Sequence, residues 1–265
     1  MSAALSDSLV EVPGGGVFVR RWSLRFSNHP PIILLHDSLG SVDQWRDFPG
    51  ALAGVTSREV IAYDRLGFGR STPRLERPSV DFIGEEARTF FPAVKHALGI
   101  PRFSLFGHSV GGAMALAIAA ADGASCDGVI TEAAQAFVEP RTLAGIRSAK
   151  AQFADSGQFE KLARWHGEKA RWVLDAWTEV WLSPQFSSWD LDQQLSQVRC
   201  PVLAIHGELD EYGSVEFPRR IARRVKGPVE LAVLSQCGHV PHRERREEVL
   251  RLASSFLGRR ALEPK

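Results

Sequence analysis

Phe106-Gly107-His108-Ser109-Val110-Gly111-Gly112 is the stretch on which the reading of this sequence turns. It has the form G-x-S-x-G and lies between a short apolar run, 103–106, and an Ala-rich run of helical character, 113–121. A serine at such a strand-to-helix turn is held in a strained backbone conformation that presents its hydroxyl. The flanking glycines are needed because helix and strand approach too closely for a β-carbon. Val110 then opens the helix, so its N–H sits at the positive end of the helix dipole, where it can stabilise a developing oxyanion. The pattern alone arises often by chance; its position at a strand-helix junction gives it weight.

Outward from this turn, short apolar runs alternate with longer amphipathic ones, and Gly, Pro, Asp or Ser marks each switch. That is the pattern of β-α units building a mostly parallel sheet. Strands are expected at 17–22, 32–36, 59–64, 103–107, 128–131, 202–206 and 229–234. A helix is expected over 82–98, where Phe82, Ala87, Phe90, Phe91, Val94 and Leu98 share near-helical spacing, and a last one carries Val249, Leu250, Leu252, Phe256 and Leu257. Residues 135–196 break the rhythm: no strand-like run occurs, and five of the seven tryptophans fall there, Trp165, Trp172, Trp177, Trp181 and Trp189. The segment reads as a helical cap inserted into an α/β core domain made of 1–134 and 197–265. Its tryptophans either glue the cap to the core or roof a substrate pocket.

A serine hydroxyl needs a base, and histidine, with an ordinary pKa near 6.5, suits that task. His239 follows the last expected strand and precedes the last helix, on the edge where strand C-termini gather with the Ser109 turn. His242 reads as a capping or surface residue and His206 as packed at a strand end, while His29, His96 and His166 have no supporting context. His239 and His242 lack the further ligands that a metal site would need. The base requires an acceptor for its other ring nitrogen, and Asp210, just past the strand 202–206, supplies one. Glu208 and Glu211 are expected to face solvent, and Glu132, ending strand 128–131, is the competing acid. The chain order Ser109, Asp210, His239 differs from the chymotrypsin and subtilisin orders.

A second oxyanion donor is expected in the loop His36-Asp37-Ser38-Leu39-Gly40, from the Ser38 N–H first and Leu39 second. Asp37 reads there as a turn residue tolerant of positive φ. The run Asp64-Arg65-Leu66-Gly67-Phe68-Gly69-Arg70-Ser71 has neither a P-loop ending nor a dinucleotide fingerprint, and reads as a structural turn. Arg243, Arg245, Arg246 and Arg251 alternate with Glu244, Glu247 and Glu248 as a solvated helix face.

Thirty-two basic against thirty-one acidic residues give a net charge of +1, which leaves no global footprint for nucleic acid or an anionic membrane. A chain of 265 residues buries roughly three quarters of its unfolded surface and needs no disulfide or structural metal. Cys126, Cys200 and Cys237 form no CxxC pair and read as three buried thiols of a reducing compartment. Residues 1–12 show no secretory leader, and the longest apolar run, 113–121, is far short of a membrane span. A cytoplasmic protein acting on a small molecule, without cofactor or metal, is expected.

Taken together, the His36 to Gly40 loop, the Asp64 to Ser71 run, the Ser109 turn, His206-Gly207-x-x-Asp210 and Gly238-His239-x-Pro241 resemble the α/β-hydrolase superfamily along essentially the whole chain. Within it the sequence looks most like small capped esterases of the valacyclovirase, or biphenyl-hydrolase-like, type. The resemblance implies ester hydrolysis, with the family's triad on Ser109, Asp210 and His239. That type carries an acidic residue directly after the nucleophile, and this chain has Val110, which departs from an amino-acyl ester preference. Leu39, His108, Trp165 and Trp172 are the expected substrate contacts. Hydrolysis of a C–C bond in a β-diketone or ring-fission product, haloperoxidase-type perhydrolysis, and a non-catalytic ligand-binding role are the competing expectations. A serine at position 109 argues against dehalogenase or epoxide hydrolase chemistry, which needs a carboxylate nucleophile.

Overall fold

The computed structural model describes residues 3–260. Eight strands form one sheet in the order β1-β2-β4-β3-β5-β6-β7-β8: β1 (Ala4–Val12), β2 (Gly15–Ser23), β3 (Ile32–Leu35), β4 (Val60–Tyr63), β5 (Phe103–His108), β6 (Cys126–Glu132), β7 (Val202–Gly207) and β8 (Val229–Leu234). β1 and β2 run antiparallel to their neighbours, while β4, β3 and β5 to β8 are parallel. This is the α/β-hydrolase fold. The central strands are apolar throughout because both faces are covered. Ile33 and Leu35 join Val110, Ala113 and Leu116 in one core layer, and Ile32 and Leu34 join Phe48, Leu52, Val249 and Phe256 in the other. Seven strands fall where the sequence placed them. β1 was not expected: its side chains are almost all exposed, so no apolar face marked it.

The helices on the second layer are α1 (Phe48–Thr56) and, near the end, α11 (Arg246–Arg260). On the first layer α2 (Phe82–Glu85) runs through a π-helical turn, Glu86–Phe90, into α3 (Phe91–Ala97), one continuous helix where one was expected. Beside it α4 (Val110–Ala121) is buried on all sides; alanines and glycines keep it thin enough to lie against the strands. Between β6 and β7 come α5 (Pro140–Gln152), α6 (Ser156–His166), α7 (Ala170–Trp181) and the short α8 (Asp192–Leu195). The base of this segment is laced by Leu191 N–H to Ala136 O at 2.9 Å and Val138 N–H to Trp189 O at 3.2 Å. α9 (Glu216–Arg224) follows β7, and α10 (Pro241–Glu244) precedes α11. No helix among the described residues is long and apolar enough to cross a membrane.

Parallel pairing brings the strand ends that matter into one line. Leu35 stands beside Gly107, His108 beside Glu132, Glu132 beside Ile205, and Gly207 beside Leu234. The loops leaving those ends carry residues 36–40, 109, 133–135, 208–213 and 235–240, and they meet above the sheet.

Candidate active site

Ser109 lies between β5 and α4 with φ 57° and ψ −126°, a left-handed backbone rare for a residue with a side chain. The neighbouring glycines explain how this turn exists. A β-carbon at Gly107 would stand 2.2 Å from the Gly111 carbonyl oxygen, and one at Gly111 would stand 2.1 Å from that of Leu35. The Ser109 amide is fixed by Glu132 O at 2.8 Å.

His239 Nε2 is 3.0 Å from Ser109 Oγ, and His239 Nδ1 is 2.9 Å from both carboxylate oxygens of Asp210. Since Nδ1 must carry the proton it gives to Asp210, Nε2 presents a lone pair to the serine hydroxyl. Asp210 is itself held in place: its Oδ1 accepts the N–H groups of Tyr212 at 2.8 Å and Gly213 at 3.2 Å. Burial opposes charge on His239, but the hydrogen bond and charge of Asp210 outweigh it and raise the imidazole above its ordinary value. Burial likewise opposes charge on Asp210, yet His239 holds its carboxyl below the usual range. The Tyr212 ring packs on His239 with centroids 4.7 Å apart.

The competing acid, Glu132, does not reach His239. Its Oε2 accepts from His242 Nδ1 at 2.6 Å, and His242 is buried, 4% exposed, where the sequence suggested a capping or surface position. Donor atoms of His108, Glu132 and His242 lie within 4.8 Å of one another, the one such group among the described residues that offers metal-ligand chemistry. Two of those ligands are already paired to each other, and His108 Nε2 donates to His239 O at 2.8 Å. Burial pushes His108 down to about 4, so it is neutral at ordinary pH. Glu208 and Glu211 are exposed, as expected, and His206 is buried, giving its Nε2 proton to Gly213 O at 3.1 Å.

A cavity opens at Ser109 and is bordered by Ser38, Leu39, Gln135, Trp177, Trp181 and His239 among others. The structure therefore places Ser38 and Leu39 beside the serine, but turns the Leu39 N–H back onto Asp37 Oδ1 at 3.2 Å. Asp37 works through that side-chain turn, not through positive φ, which it does not adopt. Three of the expected contacts lie elsewhere. His108 is buried under the loop of His239 and borders a different crevice with Trp45 and His242. Trp165 is 38% exposed. Trp172 gives its Nε1 proton to Glu76 O at 3.2 Å and packs edge-on against Phe68. The rings that reach the cavity are the other pair, Trp177 and Trp181.

Gln135 escaped the sequence reading. Its Nε2 stands 3.1 Å from Ser109 Oγ, and it sits on the loop leaving β6, where a polar residue just past a strand C-terminus was the available signal. His166, without context in the sequence, joins the inserted helices to the core: Gly69 N–H donates to its Nδ1 at 2.9 Å, and its Nε2 donates to Leu39 O at 2.9 Å. Beside it Lys169 Nζ donates to the carbonyls of Phe68, Gly69 and Ser71.

A polarised serine at a strained strand-helix turn, with a histidine and a buried aspartate in this chain order on this sheet, defines the class of α/β hydrolases. The model of the alpha/beta hydrolase family matches residues 32–252, and the chain belongs to that family. It is 36% identical over 108 residues to human 1-acylglycerol-3-phosphate O-acyltransferase ABHD5, a match that covers 39% of this chain and only 29% of that protein. With 2-hydroxy-6-oxo-2,4-heptadienoate hydrolase of Pseudomonas putida it shares 27% identity over 252 residues, 86% of this chain and 88% of that one. Among solved structures, proline iminopeptidase of Mycobacterium smegmatis superposes with a TM-score of 0.74 at 21% identity, covering 97% and 99% of the two chains.

Proposed function

We propose that the protein is a cofactor-independent serine hydrolase that cleaves a carboxylic ester, lactone or thioester of a small, apolar substrate through an acyl-enzyme. The observation that carries this reading is the unbroken relay from Asp210 through His239 to Ser109 at the floor of an aromatic-walled cavity. As Ser109 Oγ attacks the carbonyl carbon, its proton passes to His239 Nε2, and Asp210 stabilises the imidazolium that forms. The carbonyl oxygen becomes an oxyanion held by the N–H groups of Ser38 and Val110. Collapse breaks the bond to the leaving group, which takes the proton from His239. Water then enters, gives a proton to His239 as its oxygen attacks the acyl carbon, and the second collapse breaks the bond to Ser109 Oγ, which takes the proton back from His239 as the acid is released. Residues 135–196 act as a cap, and Trp177 and Trp181 exclude water from the acyl group.

A second reading is hydrolysis of a C–C bond by the same residues, favoured by the likeness to 2-hydroxy-6-oxo-2,4-heptadienoate hydrolase over most of both chains. The test is intact mass after exposure to a fluorophosphonate, with turnover of p-nitrophenyl esters of increasing acyl length. Wild type is expected to gain one adduct and hydrolyse short esters, and Ser109→Ala to do neither. Folded wild type that takes no adduct and turns over no ester would sink the reading.

A further inference from the structure

A second crevice shares Ser38, Trp177 and Trp181 with the cavity at Ser109 and is also bordered by Phe68, Phe82 and Arg65. His239 and Tyr212 border the first cavity and not the second, so the second lies on the side away from the base. All its walls are apolar or neutral except Arg65. That side chain is 6% exposed, and its guanidinium lies 4.2 Å from the centre of the Phe68 ring. Nη2 donates to Asp37 O at 2.7 Å, but Nε has no hydrogen-bond partner among the described residues. The acid with the strongest field on it, Glu86, is engaged by Tyr63 Oη at 2.5 Å and raised by its own burial.

Buried cations are ordinarily paired, and a guanidinium presents a planar fork of donors matched to a carboxylate. Here the cation is buried, incompletely satisfied, and borders a crevice that shares Ser38, Trp177 and Trp181 with the cavity at the nucleophile. We propose that Arg65 and the cavity around it form a carboxylate subsite, so that the preferred substrate is an acyl compound whose acyl chain carries a second, free carboxylate. The charge falls on the acyl side because the leaving group must lie toward His239, which protonates it. Trp177 and Trp181 then line the chain between the two ends. The inference rests on the serine hydrolase reading and replaces its wholly apolar substrate by one that is apolar around the reacting carbonyl and charged at the far end.

The experiment compares ethyl monoesters of glutaric, adipic and pimelic acids with ethyl pentanoate, hexanoate and heptanoate, following acid release. For one chain length, kcat/KM of the monoester should exceed that of the uncharged ester by about 100-fold. Arg65→Met should collapse that ratio toward one, and Arg65→Lys should keep part of it. A role in folding alone would lower both rates and leave the ratio standing, which would overturn the proposal. So would a wild-type preference for uncharged esters at every length. Should Arg65→Met not fold, wild type decides: adipate should inhibit hydrolysis of ethyl butyrate at least about tenfold more strongly than hexanamide does, and equal inhibition refutes the subsite. A fluorophosphonate adduct on Ser109 with turnover of uncharged esters but no carboxylate preference removes only the subsite. No adduct and no turnover removes the hydrolase reading beneath it.

Discussion

At the scale of single residues the proposed chemistry depends on the charge of Asp210 against His239. The imidazole must be neutral to take a proton, and its raised pKa puts the acid limb of the rate profile above the ordinary value of 6.5. Asp210→Asn removes the stabilising charge, so the limb should move to lower pH while kcat falls by about 10³ to 10⁴. The pH dependence of kcat/KM for a short ester, measured on both proteins, checks both effects. The meeting of Ser109, Asp210 and His239 was legible in the sequence because each stands at a fixed offset from a strand end, where local apolar runs and turn residues mark the place. Gln135 was not legible, since its amide meets Ser109 only through the lateral pairing of β5 with β6. Nor was the pairing of Glu132 with His242, which spans 110 residues.

At the scale of elements, the β5-α4 turn depends on close approach. Gly111→Ala would drive a methyl group into the Leu35 carbonyl, and the turn should lose roughly 2–3 kcal/mol; urea denaturation of the variant reads this directly. The inserted helices show what periodicity can and cannot give. Trp177 and Trp181, four apart, share a face of α7, but a shared face does not say what that face covers, and Trp165 and Trp172, seven apart, fall on two different helices, α6 and α7. The amphipathic pattern of α7 turns Trp181 inward, and Trp165, on α6, lies at the surface. Leu162, Val173 and Leu174 dock on Phe68, and a polar part of the docking was invisible in the pattern: His166 and Lys169 against the 68–71 loop. His166→Phe fills the volume but leaves the Gly69 amide without an acceptor and the Leu39 carbonyl with Gln44 Nε2 as its remaining donor. Stability should fall by about 1–3 kcal/mol, and kcat/KM should fall with it because the loop bearing Ser38 loses a tether. Thermal unfolding and ester kinetics on the one variant test the two together.

At the scale of the whole molecule, four buried histidines, His36, His108, His166 and His206, all titrate below their ordinary value because burial disfavours their charge. A depressed histidine leaves stability intact above the unfolded pKa near 6.5 and removes it as pH falls from there toward the folded value, which for His108 is about 4. Each group already below the window costs about 1.4 kcal/mol per pH unit. His239, shifted upward, acts in the opposite sense. With His36 and His108 well below the window, unfolding free energy at pH 5.5 should be about 2 kcal/mol lower than at pH 7.5. Urea titrations at the two pH values measure it; equal midpoints would contradict the burial of neutral rings. The order of strands along the chain has a consequence for synthesis. Ser109 and its partner His239 are 130 residues apart, which at roughly 5–20 residues per second leaves about 6 to 26 seconds between their appearances on the ribosome. Throughout that interval the nascent chain holds Ser109 without His239, so the proposed relay is completed only by the loop that follows β8.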